Sequence, residues 1–393
     1  MSINWLLQKV VAKRNTPFWR NELLISFSIY FIIMLISIFY STNTTQAISS
    51  FEKNLFVLWI PVLLLTSQAL DSRKVELLLK IFTASVMLAT LICLGYAVHR
   101  NNYFEVFTNP NWFYFSYSDL TDVISIQPIY LSLYVSFSIF IVLLLGASSW
   151  HSTKGIVFKG LTIAFLCYLF SFLFLLSGRA SIVATSLILI AAVFWFFLRM
   201  KRLYYGLMAA TSIVIISGLL VYNLPIVKER FFDAFGLDKT STWVYGDPQN
   251  SKKLPEARII KWQSAFHIVK GNWLFGVGIG DVQDELNKEY EAVGFLSGVS
   301  ERFNTHNQFL QTWVGTGLLG SIALLSTFFY NFRNAIRTRN YLFLSFLVLF
   351  ILCSITESTL ERQAGALMYT LFSCLFYSIS SERTVKSSEE LSR

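Results

Sequence analysis

The chain has 393 residues, of which 54% are hydrophobic, 17% aromatic and 14% charged. A soluble domain of this length cannot hide so much apolar surface, so soluble fold classes are excluded and an all-α integral membrane protein is expected. The formal net charge of +9 lies mostly in short connections between apolar runs, with no basic stripe on a soluble domain, which argues against nucleic acid as a partner.

A membrane-crossing helix needs about 17 to 25 mainly apolar residues. Runs of this kind fall at 23–40, 54–70, 77–98, 128–147, 160–177, 181–198, 204–222, 307–330, 341–356 and 364–380. They predict about ten transmembrane helices: seven within 1–222, a long polar loop over 223–305, three more within 306–380, and a tail at 381–393. The first run begins after about twenty residues and exceeds the apolar region of a secretory leader, so it is expected to be retained. The runs at 54–70 and 341–356 are the shortest.

Lys and Arg in the short connections set the orientation. Alternate connections hold Lys9, Lys13, Arg14 and Arg20, then Arg73 and Lys74, Lys154 and Lys159, Arg199, Lys201 and Arg202, Arg333, Arg337 and Arg339, and finally Arg383 and Lys386. The opposite connections hold little beyond Lys53, Arg100, Arg179 and Arg362. This asymmetry places both termini in the cytoplasm and the 223–305 loop outside. Cys93, Cys167, Cys353 and Cys374 all lie in apolar runs, so packing is expected of them and neither disulfides nor zinc are indicated. The Ser-rich tail reads as a solvated end.

Between Arg100 and Pro128 an outer segment carries Tyr103, Phe104, Phe107, Trp112, Phe113, Tyr114, Phe115 and Tyr117. Either an interfacial aromatic belt or a platform for sugar faces fits this composition. In the long loop, Ile259, Trp262, Phe266, Val269 and Trp273 recur at helical spacing and predict an amphipathic helix ending near Gly271, with Arg258 and Lys261 sharing another face. That helix is expected on the membrane surface or on the bundle. Gly276, Gly278 and Gly280 predict a tight turn that lets backbone approach the bundle or a ligand. Asp281, Asp284, Glu285, Glu289 and Glu291 lack the spacing of a divalent metal site and predict a solvated acidic face.

Three ionisable residues at outer helix ends are functional candidates, because charge there is costly unless solvated or paired. Arg179 sits in the tight Ser177-Gly178-Arg179-Ala180-Ser181 connection, which fixes a cation at one depth; snorkelling to the interface is the plainer reading. His306 follows Asn304 and Thr305, candidate N-caps of the next helix. An imidazole with an ordinary pKa of about 6.5 suits proton transfer near neutrality. Glu357 precedes Arg362 by five residues, and an ion pair between them would tie down the last outer turn.

His306-Asn307-Gln308-Phe309-Leu310-Gln311 and Gly315-Thr316-Gly317-Leu318-Leu319-Gly320 resemble two late motifs of the O-antigen ligase and polymerase superfamily. The resemblance extends to Ser177-Gly178-Arg179, to Arg258–Trp262 with Gly276-Val277-Gly278-Ile279-Gly280, and to Glu357-Ser358, covering about residues 160 to 375. It implies a GT-C-like helical bundle with a periplasmic loop carrying amphipathic helices, in a bacterial inner membrane. It also implies transfer of a glycan from undecaprenyl diphosphate to an acceptor hydroxyl, metal-independent and inverting, with no cofactor. The acceptor would be lipid A-core or another glycan. His306 would be the catalytic base, Arg179 and Arg258 would bind the diphosphate, and Lys261, Asn307, Gln311 and Glu357 would support them. O-antigen ligase is the preferred activity. An O-antigen polymerase extending carrier-linked repeats and a protein O-glycan transferase remain open, as does, from another class, a polysaccharide or glycolipid transporter.

Overall fold

The computed structural model describes residues 21–66, 70–103, 110–150, 155–234 and 257–391. The N-terminal cations Lys9, Lys13, Arg14 and Arg20, and also Lys154, Phe104 and Phe107, lie outside the described residues. All regular structure among the described residues is helical: α1 Glu22–Ile38, α2 Thr44–Lys53, α3 Phe56–Thr66, α4 Ser72–Arg100, α5 Tyr117–Thr121, α6 Pro128–Trp150, α7 Ile156–Leu175, α8 Arg179–Arg199 and α9 Leu203–Asn223. The chain continues through α10 Pro225–Ala234, α11 Ala257–Gly271, α12 Val282–Ala292, α13 Leu296–Ser300, α14 Gln308–Arg337, α15 Tyr341–Thr356 and α16 Gln363–Leu391.

By length and composition, seven described helices can cross a membrane and three shorter apolar helices accompany them. All ten predicted runs are therefore helical. The second differs in extent, because Thr44–Thr66 counts as one span with a break at Asn54. Recurrent Asn caps start the helices: Asn21, Asn43, Asn307 and Asn340 each accept a backbone N–H from the first turn, satisfying donors that hydrocarbon cannot.

The chain divides into two compact units. One comprises Met1–Glu76, Thr242–Leu347 and Ser354–Arg393; the other comprises Leu77–Ser241 and Val348–Cys353. In the first, Tyr369 of α16 meets Phe328 of α14 and Phe27 of α1 at ring separations of 4.6 and 5.9 Å. In the second, Cys93, Leu131, Val135, Leu169 and Leu173 form the buried core. Cys353 and Cys374 are buried and Cys167 is exposed, all three with free thiols.

The long loop is bolted to the first unit through backbone. Gly317 interrupts α14 with φ 66° and ψ −164°, and the segment after α11 fills the break. Trp273 O accepts from Leu318 N at 2.9 Å, Val277 N donates to Val314 O at 2.8 Å, and Gly278 N donates to Gly315 O at 2.9 Å. A Cβ at Gly317 would lie 2.2 Å from Leu274 O, and one at Gly276 would lie 2.6 Å from Gly317 N, so only glycine permits this approach. The predicted tight turn thus meets the bundle. Asp281 secures its far end, accepting from Thr42 N and Asn43 N, both at 2.7 Å, and from Thr42 Oγ1 at 3.0 Å. Asp281 is buried, which corrects the expectation of a wholly solvated acidic face: a carboxylate is the acceptor that two adjacent N–H groups need.

α11 settles which face meets the protein. Ile260, Lys261, Ser264, Ala265, Ile268 and Val269 are buried, whereas Ile259, Phe266 and Trp273 are exposed. Three members of the apolar stripe thus point away from the protein, while Val269 joins the inward face that carries Lys261. For a helix beside a bilayer this facing is physically sensible, since outward apolar groups have lipid to meet.

Candidate active site

His306 occupies a strained turn just ahead of α14. Its φ is +46°, a conformation costing a non-glycine residue about 1–3 kcal/mol unless neighbours impose it. Here they do. Asn304 Oδ1 accepts from His306 N at 2.9 Å, and Thr305 Oγ1 donates to Asn307 O at 2.9 Å. The N-cap is Asn307, whose Oδ1 accepts from Phe309 N at 3.0 Å and Leu310 N at 3.1 Å. The capping role expected of Asn304 and Thr305 therefore passes to Asn307, and those two residues instead shape the turn that presents the imidazole.

His306 Nδ1 lies 3.1 Å from Glu357 Oε2, with the side chains 26% and 16% exposed. A carboxylate only accepts, so Nδ1 is the donor in this contact, and in a neutral ring the lone pair then lies on Nε2. The expected Glu357–Arg362 ion pair is replaced by this one. The reason is geometric: Glu357 ends α15 in extended backbone, φ −150°, and faces His306, while Arg362 exerts its charge on Glu361.

Two glutamines fasten the 357–361 turn to α14. Gln308 Oε1 accepts from Leu360 N at 2.7 Å while its Nε2 donates to Thr312 Oγ1 at 3.0 Å. Gln311 Oε1 accepts from Thr305 N at 3.1 Å, and its amide also bonds Glu361. Gln311 is thus a strut beneath the histidine turn, and both glutamines are buried.

A cation stands behind this pair. Lys261 is 6% exposed, and its Nζ sits 3.7 Å above the Phe303 ring, which in turn meets the His306 ring edge-on at 6.0 Å. Burial pushes the Lys261 ammonium down to about 8; the Glu357 carboxylate opposes this, and the nearby Arg258 guanidinium adds to it. His306, Glu357, Lys261 and Arg258 are therefore one electrostatic neighbourhood within the first unit.

Arg179 belongs to the second unit. It opens α8 after Ser177, whose φ is +52°, and its guanidinium donates to Arg230 O at 3.0 Å. Arg230 stacks over Tyr117 at 3.4 Å. A cation in the first turn of a helix opposes the macrodipole, so this position favours an anion and is not explained by helix stability. Of the neighbouring aromatics, Phe115 is core, Tyr114 takes the Arg100 guanidinium at 4.6 Å, and Tyr103, Trp112 and Phe113 are exposed.

A family model described as O-antigen ligase matches residues 163–325. Over that region the chain is similar to the O-antigen ligase family. The matched stretch runs from α7 into α14 and contains Arg179, Arg258, Lys261, His306 and Gln311; Glu357 falls beyond it. No curated protein matches the chain. Sequence reasoning missed Phe303, which links the cation to the imidazole, and Gln308 and Glu361. The spacing of Gln308 and Thr312, four residues apart on one helix face, was the available signal for a polar wall.

Proposed function

We propose that this protein transfers a glycan from undecaprenyl diphosphate to an acceptor hydroxyl at the periplasmic face of the inner membrane, as an O-antigen ligase that joins O-antigen to lipid A-core. The observation that carries this reading is the His306–Glu357 pair, in which Nδ1 faces the carboxylate and Nε2 is turned from it, beside the buried Lys261 cation. In the reaction, the acceptor O–H gives its proton to His306 Nε2 as its oxygen bonds to the anomeric carbon. The carbon–oxygen bond to the diphosphate breaks, and the lipid diphosphate leaves with that electron pair. Direct displacement inverts the anomeric centre. Glu357 orients the ring and stabilises the imidazolium that forms.

The leaving group gains negative charge as the bond breaks, so preorganised cations lower the barrier. Arg258 and Arg179 are assigned to it for their planar, multiply donating guanidinium groups, with Lys261 adding charge from the same helix as Arg258.

Purified protein reconstituted with a carrier-linked donor and lipid A-core is expected to turn over with no ion gradient supplied; failure there would favour a transporter. Arg258→Lys is expected to impair transfer more than Lys261→Ala, and equal losses would make both cations mere surface anchors. In a deletion strain, loss of all capped lipopolysaccharide with accumulated long carrier-linked chains marks a ligase, whereas a single repeat left on the core marks a polymerase.

A further inference from the structure

A cavity of about 200 Å³ opens in the first unit, against the face of α14 that carries Gln308, Gln311 and Thr312. At about 30 Å³ per water it holds roughly half a dozen, the bulk of one sugar ring, and it is smaller than the roughly 300–1,000 Å³ of pockets for larger ligands. Its lining joins two chemistries. Tyr30, Met34, Val282 and Leu360 supply apolar surface, while Gln46, Ser50, Gln283 and Glu361 supply polar groups from α2, α12 and the 357–361 turn.

The polar groups are not all spent on the fold. Gln308 and Gln311 are committed at both ends of their amides. Gln283 uses its amide N–H on Asn287 Oδ1 at 2.9 Å and Phe303 O at 3.3 Å, which leaves its carbonyl oxygen. Among the described residues, the Gln46 side chain and the Ser50 hydroxyl have no protein hydrogen-bond partner. Glu361 is exposed and opens onto the cavity, and the protein packed around its carboxyl holds it above the ordinary range against the Gln311 hydrogen bond and the Lys53 and Arg362 charges.

We infer that this cavity is a carbohydrate subsite that takes one hydroxylated ring of the glycan, its hydroxyls on Gln46, Ser50, Gln283 and Glu361 and its C–H face on the apolar wall. A phosphate is disfavoured because a carboxyl group occupies the lining, and Arg302, which also lines the cavity, lies 3.8 Å from Asp284. The subsite lies on α14's first turn, which the Thr305 N to Gln311 Oε1 bond ties to the turn that carries His306, so a seated ring lies close to the proposed base. The inference rests on the glycan-transfer reading and names where that substrate is gripped.

The test has two readouts. In reconstituted transfer, the double variant Gln46→Ala/Gln283→Ala is expected to raise KM for one substrate about tenfold, the worth of one or two net hydrogen bonds, with kcat within about twofold. Which KM moves tells whether the ring belongs to donor or acceptor. Glu361→Gln, nearly isosteric, should act in the same direction. In the second readout, the oligosaccharide released from the donor by mild acid, and separately free core oligosaccharide, are examined by saturation-transfer NMR with full-length protein in detergent. One of them should show saturation on a single ring, lost in the double variant and kept in His306→Ala. Unchanged KM with retained saturation would overturn the subsite, as would saturation by neither sugar. If wild type transfers nothing yet the ring signal is lost in the double variant, the subsite stands and the transferase reading fails.

Discussion

Two corners of the molecule are built in opposite ways. The histidine corner, from Thr305 to Gln311 with the 357–361 turn, is held by side chains reaching across about fifty residues of sequence: His306 to Glu357, Gln308 to Leu360 and Thr305 to Ser358. The arginine corner, Ser177 to Arg179, is made by a tight turn between two long helices, and the Arg179 guanidinium donates to the backbone carbonyl of Arg230. The first is overdetermined, which under the proposed reading suits a proton acceptor whose lone pair must meet a substrate hydroxyl. The second presents a fork of N–H donors that can trade a carbonyl for a phosphate oxygen. Fixed geometry suits proton transfer, and exchangeable contacts suit a leaving group that must be captured and released.

Variants can break or sharpen this contrast. Replacing Arg179 with Ala should lower kcat by about 10²–10³-fold, as loss of one preorganised electrostatic donor does, while leaving the unfolding midpoint in detergent unchanged; a large drop in stability would make Arg179 structural. Changing Glu357 to Gln should cost about 10–100-fold, the usual scale for the partner that orients a functional histidine. Wild-type activity in that variant would reduce the His306–Glu357 contact to packing. A milder effect is expected at Lys261. Its ammonium is charged below about pH 8 and neutral above, so affinity for the diphosphate donor should fall as pH rises through 8. Lys261→Arg keeps its charge and should remove that alkaline limb; an unchanged limb would assign it elsewhere. Smallest in catalytic terms is Gly317→Ala, which puts a Cβ 2.2 Å from Leu274 O and should lower the unfolding midpoint and expression with little effect on turnover per folded molecule.

The helices were legible because bilayer thickness imposes a minimum apolar run, and each of the ten runs is helical. The candidate site was legible as a set of residue types at helix ends. Its internal wiring was not. Glu357 takes its partner from 51 residues away, a separation that leaves no local pattern, so the nearby Arg362 looked like the natural mate. α11 was legible as an amphipathic helix on the membrane surface or on the bundle, but not which face would meet which: Ile259, Phe266 and Trp273 face out and Lys261 faces in. The Gly315-Thr316-Gly317 motif was visible, but its service as a socket for the 273–278 backbone was not, since main-chain bonds carry no side-chain signature.

The claim on which the account turns is that His306 Nε2 removes the acceptor's proton. Single-turnover transfer by reconstituted His306→Ala, with carrier-linked donor already bound, tests it most directly. A fall of about 10²–10⁴-fold in the chemical step, with donor affinity within a few-fold of wild type, is predicted. Transfer at the wild-type rate from that same bound donor would contradict it.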